Sequence, residues 1–549
     1  MLILDFKPSK IPSKVHKYKD PDYMGKRTYE IDDDNYLTRW VISKQGKSEV
    51  PSEVYQRSVK EFKAREESLR LWSEKRFISQ QKLKISKNLI LDPYQTLGVI
   101  LMGLLPRAIL NMDMGTGKTA VAIGWWTYFC NKTMVVVCPK NVIQEWVEQF
   151  ESFLGITPKV ITHMKDYKSS EELGVGEDDI APVYITHYDM FRKQRKDSRK
   201  VDILVFDEVH RGAGLTSLTH KTMYNYSMKS DRVYGLSGSI VGNHFEDILG
   251  IYACVDPLVY GVDKMNFYNA WTKYVLDEYN QPMVYDYKNW DSFSLRFHSI
   301  SHTVILEDVI DMPNREDEFV YCSRDKNYVK LLQDYIFTEE GIDLNTGERD
   351  LRLFTVDRAL NMTMKLMQLC SGFVKDIEGN WIRLNTLKRD ALIEWLEDKW
   401  EGLKDHKRKM VIFYQFNISG DDIEEALKTK NIIYRRIDGR VSDKNKDLYK
   451  HQFKTSEFGD PEGCDVIVIN YGTGTEGMNF QRGTVMGFYD QTLEFRKKEQ
   501  AGRRIYRRGQ TKDCLFVHFV TKKSKEIETF QKLAKIGDFS KFLNEVKEF

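Results

Sequence analysis

Hydrophobic and polar positions change rhythm three times along this 549-residue chain. Up to about Val50 the sequence is polar and rich in Lys and Asp, with only short strand-like runs such as YLTRWVI (36–42). From Pro51 to Gln81 the apolar residues Tyr55, Val59, Phe62, Leu69 and Trp72 fall mostly at three- and four-residue steps, with Lys, Arg and Glu between them. That spacing predicts an amphipathic helix packing its stripe on its own domain. From about residue 86, Val/Ile-rich runs alternate with helical stretches. MVVVCP (134–139), PVYITHY (182–188) and DILVFDE (202–208) each end in polar or turn residues, as parallel strands joined by helical crossovers do. The rhythm returns after about residue 386 in KMVIFYQF (409–416), NIIYRRIDG (431–439), CDVIVINYG (464–472) and CLFVHFV (514–520). Residues 245–400 are aromatic and charged with weak strand signals, and read as mostly helical. The expectation is an α/β chain with two parallel-sheet lobes. A small N-terminal module (1–85) precedes lobe 1 (86–312, helical insertion about 245–310) and lobe 2 (313–549, helical insertion about 320–400).

Composition narrows the function classes. With 83 Lys+Arg against 81 Asp+Glu the net charge is +2, so a chain basic throughout is excluded and any nucleic-acid face must be local. Glu494 to Lys525 is such a stretch, with 11 Lys and Arg against 3 Asp and Glu. No run approaches the ~18 apolar residues of a membrane span, and Leu97–Leu105 stops at Pro106-Arg107. Asp5 and Lys7 interrupt any signal-peptide core. The seven scattered cysteines contain no CxxC pair, which argues against a disulfide framework or a zinc site and for a reducing compartment. A soluble protein without a membrane partner is expected. Its compartment would be the cytoplasm of a bacterial host (a bacterial, phage or viral protein) or a eukaryotic nucleus.

The strongest chemical signal is Met114-Gly115-Thr116-Gly117-Lys118-Thr119, between a strand-like run and a helix-prone one. Glycines turn backbone N–H groups toward phosphate oxygens, and the following helix N-terminus adds positive partial charge. Lys118 would neutralise the outer phosphates of a bound nucleotide and Thr119 would ligate Mg²⁺. The full pattern calls for glycine at position 112, where this chain has Met112. The strand-like run 202–208 ends in Asp207-Glu208, 89 residues past Lys118. Asp207 would hold the metal, and Glu208 would orient and deprotonate the attacking water. A third segment, Gln500 to Gln510, is rich in arginine, whose planar fork suits transition-state charge on a γ-phosphate.

In this order the motifs resemble those of a superfamily-two helicase-like motor of the Swi/Snf type, an ATP-dependent DNA translocase in a compact form. Leu91 to Gln95 resembles the adenine-recognising segment of that family, and Val137 to Asn141 running into Gln144-Glu145-Trp146 resembles motif Ia. Ile185 to Tyr188, Asp207 to Arg211 and Leu236 to Ser239 resemble motifs Ib, II and III. Ile412 to Phe416, Gly472 to Asn479 and Gln500 to Gln510 resemble motifs IV, V and VI, and Met367 to Gly372 a helical landmark. Ser301-His302-Thr303 stands where the family usually has a basic cluster before the lobe junction.

The resemblance implies two RecA-like lobes. It implies ATP held by Gln95, Met114, Gly115, Thr116, Gly117, Lys118 and Thr119, with Gly477, Asn479, Gln500, Arg504 and Arg507 closing from the second lobe. Lys118, Asp207, Glu208, Gln500, Arg504 and Arg507 would be catalytic, and Thr119 and Asp207 would hold Mg²⁺. Lys140, Thr186, Arg211, Gln415, Arg440 and Thr473 would grip a nucleic-acid backbone, giving low sequence specificity and high salt sensitivity. The expected partner is double-stranded or forked DNA, with a protein partner at the N-terminal module as an option and a monomeric state. A strand-separating helicase acting on DNA or RNA is the alternative. The chain ends 39 residues after Gln510 without a Cys/His reader module, which points toward replication, repair or clearance of DNA rather than nucleosome remodelling.

Overall fold

The computed structural model describes residues 2–4, 16–18, 28–31, 36–45, 52–75, 81–195, 199–277, 280, 282–356, 359–474 and 478–544. Two compact units divide the chain, one of residues 1–309 with 543–549 and one of residues 310–542.

Helices α1 (Tyr36–Gln45) and α2 (Ser52–Lys75) pack on the first unit. The YLTRWVI run, strand-like in sequence, is helical. Tyr36, Leu37 and Ile42 are buried, and the Tyr36 ring meets Phe62 of α2 at 5.3 Å. Packing on a neighbouring helix outweighs the β preference of these aromatic and branched residues. On α2, Phe62 and Trp72 are buried while Tyr55, Val59 and Leu69 are half-buried. Arg65 on the same helix pairs with Asp256 at 2.7 Å. Trp72 Nε1 donates to the His298 carbonyl at 3.4 Å, and its ring stands edge-on to His302.

The sheet of the first unit contains seven strands: β1 (Arg107–Met112), β2 (Met134–Cys138), β3 (Lys159–Val160), β4 (Val183–His187), β5 (Ile203–Asp207), β6 (Arg232–Ser237) and β7 (Ser301–Val304). Their order is β7-β1-β6-β5-β2-β4-β3, all parallel. Strands β1 and β2 are buried at every position, as expected of a sheet covered on both faces. The second unit repeats the plan with β8 (Arg315–Cys322), β9 (Lys409–Tyr414), β10 (Tyr434–Ile437), β11 (Val466–Asn470), β12 (Gly483–Phe488) and β13 (Cys514–Thr521), parallel in the order β8-β13-β12-β9-β11-β10. Met410, Ile412 and Tyr414 of β9 join the core on one face, and Val411 and Phe413 the core on the other.

The interval 320–400 differs from its helical expectation. It contains an antiparallel four-stranded sheet, ordered Arg349–Thr355, Ile336–Asp343, Trp381–Arg383 and Phe373–Lys375, beside the helices Asn327–Asp334, Ala359–Cys370 and Leu387–Asp405. These strands are half-exposed, so charged residues alternate with apolar ones and mask the strand signal. Within 245–310 a second antiparallel pair, Thr272–Leu276 with Pro282–Tyr287, interrupts the helices for the same reason.

Candidate active site

In the first unit the phosphate loop follows β1 and enters α4 (Lys118–Trp126). Gly115 and Gly117 have φ of 86° and 85°, a backbone region where other residues are strained. At Gly117 a Cβ would also lie 2.4 Å from Gln95 Nε2. Met112, where the pattern calls for glycine, is the buried last residue of β1 with ordinary strand backbone, so no glycine is needed there. Gln95 lies on α3 (Pro93–Leu104) and ties the two segments together. Its Oε1 accepts from the Asp92 N–H at 2.8 Å and its Nε2 donates to the Thr116 carbonyl at 2.8 Å. Lys118 Nζ folds back onto the carbonyls of Met112 (2.8 Å) and Asp113 (3.2 Å). Met114 and Thr119 are half-buried beside it, and Thr116 is buried.

Parallel register delivers the carboxylates. Asp207 is the last residue of β5 and pairs with Leu236 of β6, whose next residue, Ser237, pairs with Asn111 of β1. Glu208 follows with φ 56°, a left-handed turn that separates the two side chains. Asp207 Oδ2 accepts from Trp146 Nε1 at 2.8 Å, and its carbonyl accepts from the Tyr188 hydroxyl at 2.7 Å. Glu208 Oε2 lies 3.1 Å from His210 Nδ1, which is also 3.2 Å from Ser237 Oγ. Burial, reinforced by the Glu208 carboxylate, pushes the Asp207 pKa up to about 7. Two adjacent acids, one held so far from its charged form, are a donor set that a divalent cation would relieve. Trp146, on α5 (Ile143–Leu154), is a site residue that sequence reasoning missed as such. Its signal was burial, since it and Phe150 form the apolar stripe of α5.

The second unit presents its candidate residues differently. Gln500 is buried on the helix Phe495–Gly502. Arg504 is only 2% exposed and donates from Nη1 to the Met478 carbonyl at 2.8 Å, while Arg507 is half-buried. Asn479 is exposed, its Oδ1 accepting from the Gln481 N–H at 3.0 Å. Gly477 lies outside the described residues.

Candidate backbone-gripping residues follow strand carboxyl ends. Lys140 is exposed just after β2. Arg211 stacks its guanidinium 5.3 Å from the Tyr188 ring centroid. Thr186 departs from expectation: it is 3% exposed inside β4, and the more exposed side chain at that strand end is His187. In the second unit Gln415, Arg440 and Thr473 follow β9, β10 and β11, with Arg440 held 2.7 Å from Asp438. Ser301 and His302, in place of a basic cluster, are buried in β7. Desolvation lowers the His302 pKa to about 4, and its Nε2 donates to the Tyr94 carbonyl at 2.7 Å.

Residues 55–372 match the model of the SNF2-related domain, more than half of the chain. The chain belongs to this SNF2-related family. Residues 387–509 match the helicase conserved C-terminal domain. Among curated proteins this SNF2-related chain is similar to a chromodomain-helicase-DNA-binding protein 1-like from Danio rerio, 24% identical over 77% of this chain and 41% of that protein. It is also similar to an uncharacterized ATP-dependent helicase from Mycoplasma pneumoniae, 22% identical over 76% of this chain and 38% of that one. The chain thus spans about two fifths of the length of these relatives. A solved SWI2/SNF2 ATPase core from Sulfolobus solfataricus in complex with dsDNA aligns at 17% identity over 84% of this chain and 97% of that one, with a TM-score of 0.35. Among the described residues no helix is long and apolar enough to cross a membrane.

Proposed function

We propose that this protein is a DNA-stimulated ATPase that tracks along double-stranded or branched DNA. The observation that carries the reading is the convergence, by sheet register, of the Lys118 phosphate loop and the Asp207-Glu208 pair at the ends of β1 and β5, the two parallel strands that flank β6. Its second support is membership of the SNF2-related family together with relatives named as helicases.

The loop fits ATP. The backbone of Met114 to Gly117 and the α4 N-terminus would cradle phosphates, and Lys118 would exchange its two carbonyl acceptors for phosphate oxygens. Thr119 and Asp207 would hold Mg²⁺, which when bound supplies positive charge to the phosphates and to Asp207. Trp146 fixes the orientation of Asp207. Glu208, braced by His210, takes the proton of the attacking water at its carboxylate. Gln500, Arg504 and Arg507 are the second unit's groups suited to charge that develops on a phosphate. Lys140, Arg211, Gln415, Arg440 and Thr473 grip backbone phosphates, so affinity falls steeply with salt and depends little on sequence.

Displacement of a third strand from a triplex-bearing duplex tests the reading. ATP-dependent displacement on intact duplex, without unwinding of a plain duplex, is expected. Robust strand separation with no triplex displacement would favour the helicase alternative.

A further inference from the structure

A cavity of about 450 Å³ in the second unit lies at the amino ends of β9, β12 and β13, lined by Lys409, residues 479–482 and 484, and residues 509–512. Gln415, Arg440 and Thr473 follow the carboxyl ends of the same sheet, roughly 20 Å away for strands of six residues. The backbone-gripping role assigned to those residues therefore leaves this cavity unexplained.

Its lining is cationic. Lys409 is buried and already satisfied, donating to the carbonyls of Ser456 (2.8 Å), Cys464 (2.9 Å) and Phe453 (3.2 Å). Arg482 donates to the Lys454 carbonyl at 2.8 Å and lies 3.8 Å from Glu457, the cavity's one carboxylate. Lys407, Lys454 and Lys512 are exposed on the rim and, among the described residues, form no ion pair. Three like charges on one concave surface repel one another, and an anion between them offsets that repulsion.

An independent observation points into the same cavity. Thr484 belongs to the lining, is 2% exposed, and its Oγ1 has no hydrogen-bond partner among the described residues. A buried hydroxyl left in that state is a donor that lacks its acceptor. The wall beside it is rigid. Gln510 Nε2 donates to the carbonyls of Gln481, Gly483 and Ile505 at 2.9–3.1 Å, and its Oε1 accepts the N–H groups of Thr511 and Lys512. Gly509 has φ 87°, and a Cβ there would lie 2.5 Å from Gln481 Nε2. Ammonium groups on the rim of a concave wall that also contains an unpartnered hydroxyl are a chemistry suited to phosphate oxygens.

We propose that this cavity is a binding site for a phosphate-bearing anion, either a free polyphosphate or the backbone of a nucleic-acid strand. The test is calorimetric titration of the full chain with inorganic tripolyphosphate in a Lys118→Ala background, which removes the phosphate-loop contribution. Binding that persists in Lys118→Ala is expected to weaken at least about tenfold when Lys454→Glu and Lys512→Glu are added. Thr484→Val should weaken it about three- to tenfold without lowering Tm, because the lost hydroxyl had no partner to leave behind. A parallel arm measures anisotropy of a labelled single-stranded oligonucleotide on the same variants. Weakening there assigns the cavity to a strand backbone, and weakening of tripolyphosphate alone assigns it to a free polyphosphate. The proposal is overturned if Lys118→Ala abolishes all tripolyphosphate binding and oligonucleotide affinity ignores the lysine reversals, or if neither ligand responds to them. If the phosphate-loop reading itself fails, Lys118→Ala leaves tripolyphosphate binding unchanged, and the lysine reversals still report on the cavity.

Discussion

The two parallel sheets hold their candidate reactive groups by different means. In the first unit Asp207 is itself a strand residue, and Lys118 begins a helix that follows β1 through five loop residues, so sheet register brings them together. In the second unit Arg504 and Arg507 lie on a segment between the helix Phe495–Gly502 and β13, attached by side-chain tethers. Arg504 grips the Met478 carbonyl, and Gln510 grips three others. Strand-borne groups are positioned by the sheet backbone in addition to their side-chain neighbours. Tether-borne chemistry couples function to stability one residue at a time.

The largest effect should come from the acid that directly follows the strand-borne Asp207. Glu208→Gln is expected to lower ATP turnover about 10²- to 10⁴-fold with Tm nearly unchanged, read by steady-state hydrolysis and thermal melting. A variant that keeps wild-type turnover would remove Glu208 from the role of base.

The two arginines should separate stability from turnover. Arg504→Ala removes a buried cation bonded to a carbonyl and should cost about 2–3 kcal/mol of stability as well as turnover. Arg507→Ala, half-buried, should cost less stability than Arg504→Ala, about 1 kcal/mol or less, while lowering turnover on the order of 10³-fold. Equal losses of Tm in both variants would erase the distinction between the buried, carbonyl-bonded arginine and the half-buried one.

A third prediction concerns pH. His302 in β7 stays neutral in the fold with a pKa of about 4. The unfolded chain takes up the proton first as pH falls below ~6.5, so stability is fully present above that pH and is lost between it and about 4. At pH 5 the loss should be about 2 kcal/mol, and it should be absent from His302→Gln when each protein's Tm at pH 5 is referred to its own value at pH 7. An equal drop in both proteins would show that other groups carry the acid sensitivity.

The smallest effect is expected at Trp146→Phe, which keeps an aromatic ring while deleting the N–H that meets Asp207. Turnover should fall about tenfold, the lower end for one hydrogen bond to a charged group, with the larger loss at limiting Mg²⁺. No change at any Mg²⁺ concentration would mean that the sheet alone orients Asp207.

These contrasts also explain what could be read from sequence. Strands β2, β4, β5, β9, β11 and β13 were legible because strands buried on both faces are continuous Val/Ile runs. The phosphate loop and the Asp207-Glu208 pair were legible because their chemistry dictates residue type and spacing. Half-exposed strands such as Ile336–Asp343 were not, since their alternation dilutes the apolar signal with charge. Helix α1 was misread because its fate depends on Phe62 and on the Arg107 guanidinium 3.9 Å from the Tyr36 ring, partners remote in sequence. Burial was likewise hidden: nothing in the local sequence says that Thr186 faces the core or that Arg504 is tethered to Met478.

The most direct test of the central claim is steady-state ATP hydrolysis by the purified protein, first without nucleic acid and then with duplex DNA, forked DNA, single-stranded DNA and RNA. Strong stimulation by duplex or forked DNA is the predicted result, lost in Glu208→Gln and weakened by added salt. Stimulation mainly by single strands or RNA would contradict the duplex-tracking account while leaving the nucleotide site intact.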